Sequence, residues 1–310
     1  MKLKFTLILI IIIVVLFSCE SRNKSKVEKY SPKSEIIVEN NKKINNERPQ
    51  KRNNQNTKNL TITTWNIRDL GKSKDVEEIL KIAKIIRNFD IVAIQEVVAK
   101  DPAGAQAVAK IVDELNRMGN KWDYRISDPT KSPSVYMSER YAFLWQTSKV
   151  KLSGRAYLDE NLEEKCHREP FIGKFQLKKG GDPFFVVNFH SRKHNDNPED
   201  EIIFFKDYPK RLNSNKIIIA GDFNLNERHE VWNNLYSLGF NAAVKNSKTT
   251  LKRKCTIGNY LSHDIDNIYY SNDISLINSG VIDFIESCKN LKAARMISDH
   301  LPVFLEFYLN

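Results

Sequence analysis

Hydrophobic and polar positions divide the chain into three stretches. Residues 5–17 form an apolar run broken only by Thr6, with Lys2 and Lys4 in front of it. Thirteen helical residues would span roughly 20 Å, short of a ~30 Å hydrocarbon core. The positive flank, short apolar core and small Ser18 predict a secretory signal peptide over residues 1–18, with an uncleaved anchor as the alternative. Residues 19–59 are rich in Asn, Lys and Ser, carry Tyr30 as their one aromatic, and show no sustained period of two or 3.6. Such a segment buries too little apolar surface to offset its ordering entropy, so it reads as a disordered tether.

From Leu60 the pattern becomes that of a folded domain, 60–310. Thr61 to Trp65 alternates as a strand ending at Asn66. Asp75 with Glu78 three residues on predicts a capping box, and Val76, Ile79, Leu80, Ala83 and Ile86 predict the buried stripe of the helix that follows. A short apolar strand, 91–94, delivers Gln95 and Glu96, and a second helix runs from about 103 to 118. Strands are predicted at 141–145, 184–189, 216–220, 265–270 and 302–308, and helices at 199–212, kinked or ended near Pro209, and at 227–238. Strands and helices mix without strict alternation, which predicts one α+β domain with helices packed outside stacked sheets.

Charge changes the picture less than its total suggests. The formal charge of +11 is concentrated before residue 60, where 13 Lys/Arg face 5 Asp/Glu; the remainder holds 36 against 33. A nucleic-acid partner therefore cannot be argued from net charge alone. Lys245, Lys248, Lys252, Arg253 and Lys254 form one local basic group, either a phosphate-binding loop or a solvated one. There is no Walker-type loop and no Gly-x-Gly-x-x-Gly fingerprint. Cys166, Cys255 and Cys288 match no zinc spacing; an oxidising compartment would permit one disulfide among them, with the pairing open.

Candidate chemistry sits where predicted strands end. Trp65-Asn66, Gln95-Glu96, Asn188-Phe189-His190, Gly221-Asp222-Phe223-Asn224, His263-Asp264-Ile265-Asp266 and Ser298-Asp299-His300 each place amides, carboxylates or imidazoles at a strand end or beginning. Gathered at one sheet edge, hard oxygen ligands without cysteine suit Mg²⁺, with Ca²⁺ or Mn²⁺ as alternatives. Two histidines able to pair with carboxylates suit proton transfer near neutral pH.

These blocks resemble, in order, the signatures of the endonuclease/exonuclease/phosphatase superfamily: Trp65-Asn66-Ile67, Gln95-Glu96, Gly221-Asp222-Phe223-Asn224 and Ser298-Asp299-His300-Leu301-Pro302-Val303. Ser138-Glu139-Arg140-Tyr141-Ala142-Phe143 and the block from Arg168 to Phe175 resemble its pancreatic-type deoxyribonuclease branch. The resemblance implies a four-layered α/β sandwich, two stacked, mostly antiparallel sheets flanked by helices. It implies metal ligation or orientation by Asn66, Glu96 and Asp299, and positioning of phosphate and attacking water by Asp222 and Asn224. His190 and His300 would be the acid/base pair, oriented by Glu139 and Asp266, with Arg168 clamping a phosphate oxygen; a Glu139–Arg168 salt bridge is the plainer alternative. Where that branch carries an arginine shortly after Gln-Glu, this chain has Val97 and Val98.

The activity implied is non-specific, metal-dependent cleavage of double-stranded DNA outside the cytoplasm. The same superfamily also offers RNA, lipid headgroups and small phosphate esters as substrates, and a non-catalytic binding module is the alternative from another class. Leu16-Phe17-Ser18-Cys19 resembles a bacterial lipobox, which implies a lipidated Cys19 and attachment to the cell envelope through that anchor only.

Overall fold

The computed structural model describes residues 59–310 apart from 72 and 101. The signal-peptide, Cys19 and tether expectations lie outside the described residues. The chain runs through β1 (Leu60–Leu70), α1 (Val76–Ile86), β2 (Ile91–Val98), α2 (Ala103–Arg117), β3 (Trp122–Ile126) and β4 (Glu139–Gln146). After β5 (Val150–Leu152) and β6 (Tyr157–Leu158) come β7 (Phe171–Leu177), β8 (Phe184–His190), α3 (Glu199–Ile202), α4 (Tyr208–Leu212), β9 (Ile217–Asp222) and α5 (Asn233–Ser237). The last third holds β10 (Asn241–Ala242), β11 (Leu251–Thr256), β12 (Asn259–Leu261), β13 (Asp266–Tyr270), β14 (Ile274–Val281), α6 (Leu291–Ile297) and β15 (Val303–Leu309).

Two sheets result. One has six strands in the order β14-β15-β1-β2-β4-β3; the other has seven, β10-β13-β9-β8-β7-β5 with β6 against β7. The pairings are antiparallel except for β1·β2 and β8·β9. Strand alternation sends neighbouring side chains to opposite faces. On β2, Ile91 and Ala93 enter the core between the sheets, while Val92 and Ile94 pack outward against α1 and α2. On β9, Ile218 and Ala220 face inward, while Ile217 and Ile219 join the outer core under α3–α5. Three apolar layers between four layers of structure give the expected α/β sandwich.

Local departures have physical causes. Asp75 caps α1 and Glu78 returns the bond, as its spacing predicts. Val76 is exposed, however, and Ile82 and Ile85 complete the buried stripe. The helix predicted at 199–212 is broken: residues 203–207 tighten into a 3-10 turn, and Pro209 sits in the first turn of α4, where its missing N–H costs nothing. The helix predicted at 227–238 begins only with a 3-10 turn at 230–232. Cys255 and Cys288 form a disulfide, and Cys166 is free and buried.

Candidate active site

Strand register assembles half of the site. In the seven-stranded sheet His190 lies opposite Asp222, and Asp222 opposite Asp266, so three functional groups share one row at the end of β8 and β9 and the start of β13. Gly221 permits the tight approach of β9 to β8, since a Cβ there would meet the Phe189 carbonyl oxygen at 1.8 Å. In the other sheet Asn66 lies opposite Gln95 on the parallel pair β1·β2. A register shift just beyond puts Glu96 in the left-handed region, at φ 59°. Left-handed backbone is costly for a residue with a side chain, and here it turns the Glu96 carboxylate to Asn66 Nδ2 at 2.9 Å.

Two histidine–carboxylate dyads bridge the sheets. His190 Nδ1, on β8, lies 3.0 and 3.1 Å from the oxygens of Glu139 on β4. His300 Nδ1, just ahead of β15, lies 3.1 and 3.0 Å from those of Asp266 on β13. Between them sits Asp222 Oδ2: it accepts a hydrogen bond from Asn66 Nδ2 at 3.1 Å and stands 3.5 Å from His190 Nε2 and 3.7 Å from His300 Nδ1. Asn224, at φ 51°, donates its backbone N–H to the other Asp222 oxygen at 3.0 Å.

Burial sharpens these electrostatics. Burial and neighbouring Arg168 both push His190 down, but Glu139 and Asp222 prevail and its pKa is raised. Burial would raise Glu139; His190 and Arg168 hold it below the usual carboxylate range. His300 is pushed up to about 10, because Asp266 and Asp222 outweigh the cost of burying its charge. Burial, reinforced by Asp222, lifts Asp266 to about 6 despite the cationic His300.

The remaining sequence candidates divide. Asn66 and Glu96 are together, but Asp299 is turned to Arg295 at 3.2 Å and Arg68 at 3.8 Å rather than to them. Arg168 pairs with Glu139 at 3.2 Å and donates to the backbone carbonyls of His190 and Ser191, so it braces the first dyad. It also lines a cavity of about 540 Å³ shared with Glu96, Glu139 and His190.

Several contributors carried no recognisable sequence signal. Thr249 is fully buried and donates to Asp266 Oδ2 at 2.6 Å. Ser298 Oγ donates to the Asn66 carbonyl at 2.6 Å and accepts from His300 N–H at 3.0 Å, tying the two strand ends together. Arg295, in the last turn of α6, reaches Asp299 just beyond the helix end.

The donor set suits a hard divalent cation. Asn66 Oδ1 is buried without a hydrogen-bond partner, beside the carboxylates of Glu96 and Asp222. Asp222, Asp266 and His300 also present ligand atoms within 4.8 Å of one another. An orphaned lone pair beside two carboxylates is what a cation would satisfy.

The model of the endonuclease/exonuclease/phosphatase family matches residues 63–300, the span from β1 to the second dyad. The chain belongs to that family. Among relatives, a deoxyribonuclease from Thioalkalivibrio sp. (strain K90mix) is 28% identical over 270 residues, covering 80% of this chain and 71% of that protein. Deoxyribonuclease-1 of Bos taurus is 31% identical over 175 residues, covering 53% and 60%. An endonuclease/exonuclease/phosphatase family protein from Bacteroides thetaiotaomicron shares the fold, with a TM-score of 0.60 at 16% identity over 81% of this chain and 98% of that one.

Proposed function

We propose that this protein is a divalent-metal-dependent phosphodiester hydrolase that cleaves double-stranded DNA without sequence specificity. The observation that carries the reading is the convergence of the His190–Glu139 and His300–Asp266 dyads on Asp222, beside the Asn66–Glu96 pair. The deoxyribonucleases among its relatives favour DNA over other phosphodiesters.

Each residue has a task. Asn66, Glu96 and Asp222 would hold the cation, which supplies Lewis-acid stabilisation of charge building on the phosphate. Asn224 fixes the Asp222 carboxylate through its backbone N–H and presents its amide to a phosphate oxygen. One imidazole takes the proton of the attacking water while the other supplies one to the leaving oxygen. His300, in its acid form at neutral pH, is suited to donate. Glu139 and Asp266 orient the rings and support their charged forms. Arg168 keeps Glu139 ionised, and Asp299 anchors the turn that carries His300.

The substrate assignment is tested by offering the purified protein, with Mg²⁺ and then Ca²⁺, supercoiled plasmid, RNA, phospholipid headgroups and small phosphate esters. Preferential nicking of plasmid supports it; turnover confined to another ester would move it. We further infer an extracytoplasmic, lipid-anchored enzyme, from the lipobox at Cys19 and from a disulfide that suits an oxidising compartment. Cys19→Ala should move the protein from membrane to soluble fractions at unchanged intrinsic rate; unchanged fractionation would contradict the anchor.

A further inference from the structure

The hairpin formed by β11 and β12 has a composition that packing does not require. Between Lys245 and His263 the chain holds five Lys/Arg and no Asp or Glu. Among the described residues, Lys252, Arg253 and Lys254 make no ion pair, whereas Arg68, Arg168, Arg192 and Arg295 near the site are each paired with a carboxylate. Arg253 and Lys254 are exposed, and the adjoining turn carries Ile257, which is fully exposed. Ile257 is also held at φ 49°, a left-handed conformation that a β-branched residue strongly disfavours. An apolar, strained side chain in open solvent stabilises nothing within the fold.

The hairpin is also rigidly rooted in the reacting centre. Thr250 bridges to His300, Leu251 N–H donates to the Asp299 carbonyl at 2.8 Å, and Thr249 immediately before them holds Asp266. Its far half is fastened by the Cys255–Cys288 disulfide, and Arg295 donates to the Leu251 carbonyl at 2.7 Å. Whatever the hairpin grips is therefore held in fixed register with His300.

We propose that this hairpin is a duplex-docking arm. Lys252, Arg253 and Lys254 neutralise phosphates away from the scissile bond, and Ile257 is set into the groove between them. The inference rests on the DNA reading of the site and adds to it a second contact region. The register of β11 against β12 breaks between Leu251 and Thr256, so the cations sit on a bulged segment rather than on a regular strand. A polyanion with regularly spaced phosphates matches three consecutive unpaired cations, and small apolar side chains are known wedges in DNA grooves. A membrane is the less fitting occupant, because one isoleucine inserts little apolar area.

The test compares the full-length protein, a Lys252→Ala/Arg253→Ala/Lys254→Ala variant and Ile257→Asn, each checked by thermal melting. On a 30-base-pair duplex the triple variant should lose at least tenfold in kcat/KM at moderate salt. Its log–log salt dependence should become shallower by about 2.7, that is about 0.9 for each cation removed. Turnover of bis(4-nitrophenyl) phosphate, too small to touch the hairpin from the reacting centre, should match wild type. Ile257→Asn should raise KM for the duplex several-fold while leaving the melting temperature equal or higher, since Asn tolerates left-handed backbone. An unchanged duplex kcat/KM and salt slope would overturn the arm while leaving DNA cleavage standing. Wild-type hydrolysis of the small ester without duplex cleavage would instead overturn the DNA reading, and the arm with it. Binding of phosphatidylserine vesicles lost in the triple variant, with duplex kinetics unchanged, would reassign the hairpin to lipid.

Discussion

His190 Nε2 and His300 Nδ1 lie 3.5 and 3.7 Å from the same oxygen, Oδ2 of Asp222. Each imidazole also meets, through Nδ1, a carboxylate belonging to the other sheet. The two rings differ in setting, because His300 Nδ1 faces Asp266 and Asp222 together while His190 shares its partner Glu139 with Arg168. Two rings in unequal electrostatic settings around one carboxylate suit a reaction needing both a proton acceptor and a proton donor.

Asp266 sets the state of His300. In Asp266→Asn the His300 pKa should fall from about 10 toward its ordinary 6.5, and kcat should drop by about 10²- to 10⁴-fold. An NMR titration of the ring in the metal-free protein reads the first effect. An unmoved His300 pKa would remove Asp266 from its assigned role.

The Glu139–His190 pair should leave a pH signature in stability. Glu139 has a depressed folded pKa, so its contribution is fully present above its ordinary 4.5 and is lost as pH falls through the folded value. His190 has a raised one, so its contribution is fully present below its ordinary 6.5 and is lost as pH rises through the folded value. Denaturant unfolding of wild type and Glu139→Gln should therefore differ most between pH 4.5 and 6.5, by on the order of 3–5 kcal/mol. A difference independent of pH would contradict the pairing.

Metal should bind the folded state alone. Mg²⁺ at a hundred times its dissociation constant should stabilise the protein by about 2.7 kcal/mol, read as a shift in melting temperature. Glu96→Gln and Asn66→Ala should abolish the shift, since Asn66 Oδ1 is an orphaned buried acceptor beside two carboxylates. A full shift in both variants would place the cation elsewhere.

The disulfide closes a sequence separation of 33 residues, which corresponds to about 3–4 kcal/mol of denatured-state loop entropy. Cys288→Ser should cost that order of stability. Cys166, buried and with its thiol pushed far up by desolvation, should resist thiol reagents until the protein unfolds. Rapid labelling of native Cys166 would contradict its burial.

Much of this was legible because the chemistry lies beside strong local patterns. The capping box at Asp75 and the apolar strand before Glu96 follow from spacing alone, and the motif blocks contain both histidines and both carboxylates of the dyads. What stayed hidden depended on three-dimensional neighbours. Nothing in Thr249-Thr250 marks one hydroxyl as the partner of Asp266, because that contact is created by the hairpin folding back onto β13. Asp299 reads as a ligand in its motif, yet Arg68 arrives from β1 to share its charge. The break at 203–207 escaped because Ile202 and Phe205 keep helical spacing while the backbone tightens to bury them. Disulfide pairing needed the fold itself, since three cysteines allow three pairs.

The most direct test is nicking of supercoiled plasmid in Mg²⁺ by wild type, His190→Ala, His300→Ala and Asp222→Asn, with EDTA as a parallel arm. The account predicts rapid nicking by wild type, its abolition by EDTA, and losses of at least a hundredfold in all three folded variants. Undiminished nicking in EDTA, or by Asp222→Asn, would contradict a metal-assisted centre built around that carboxylate.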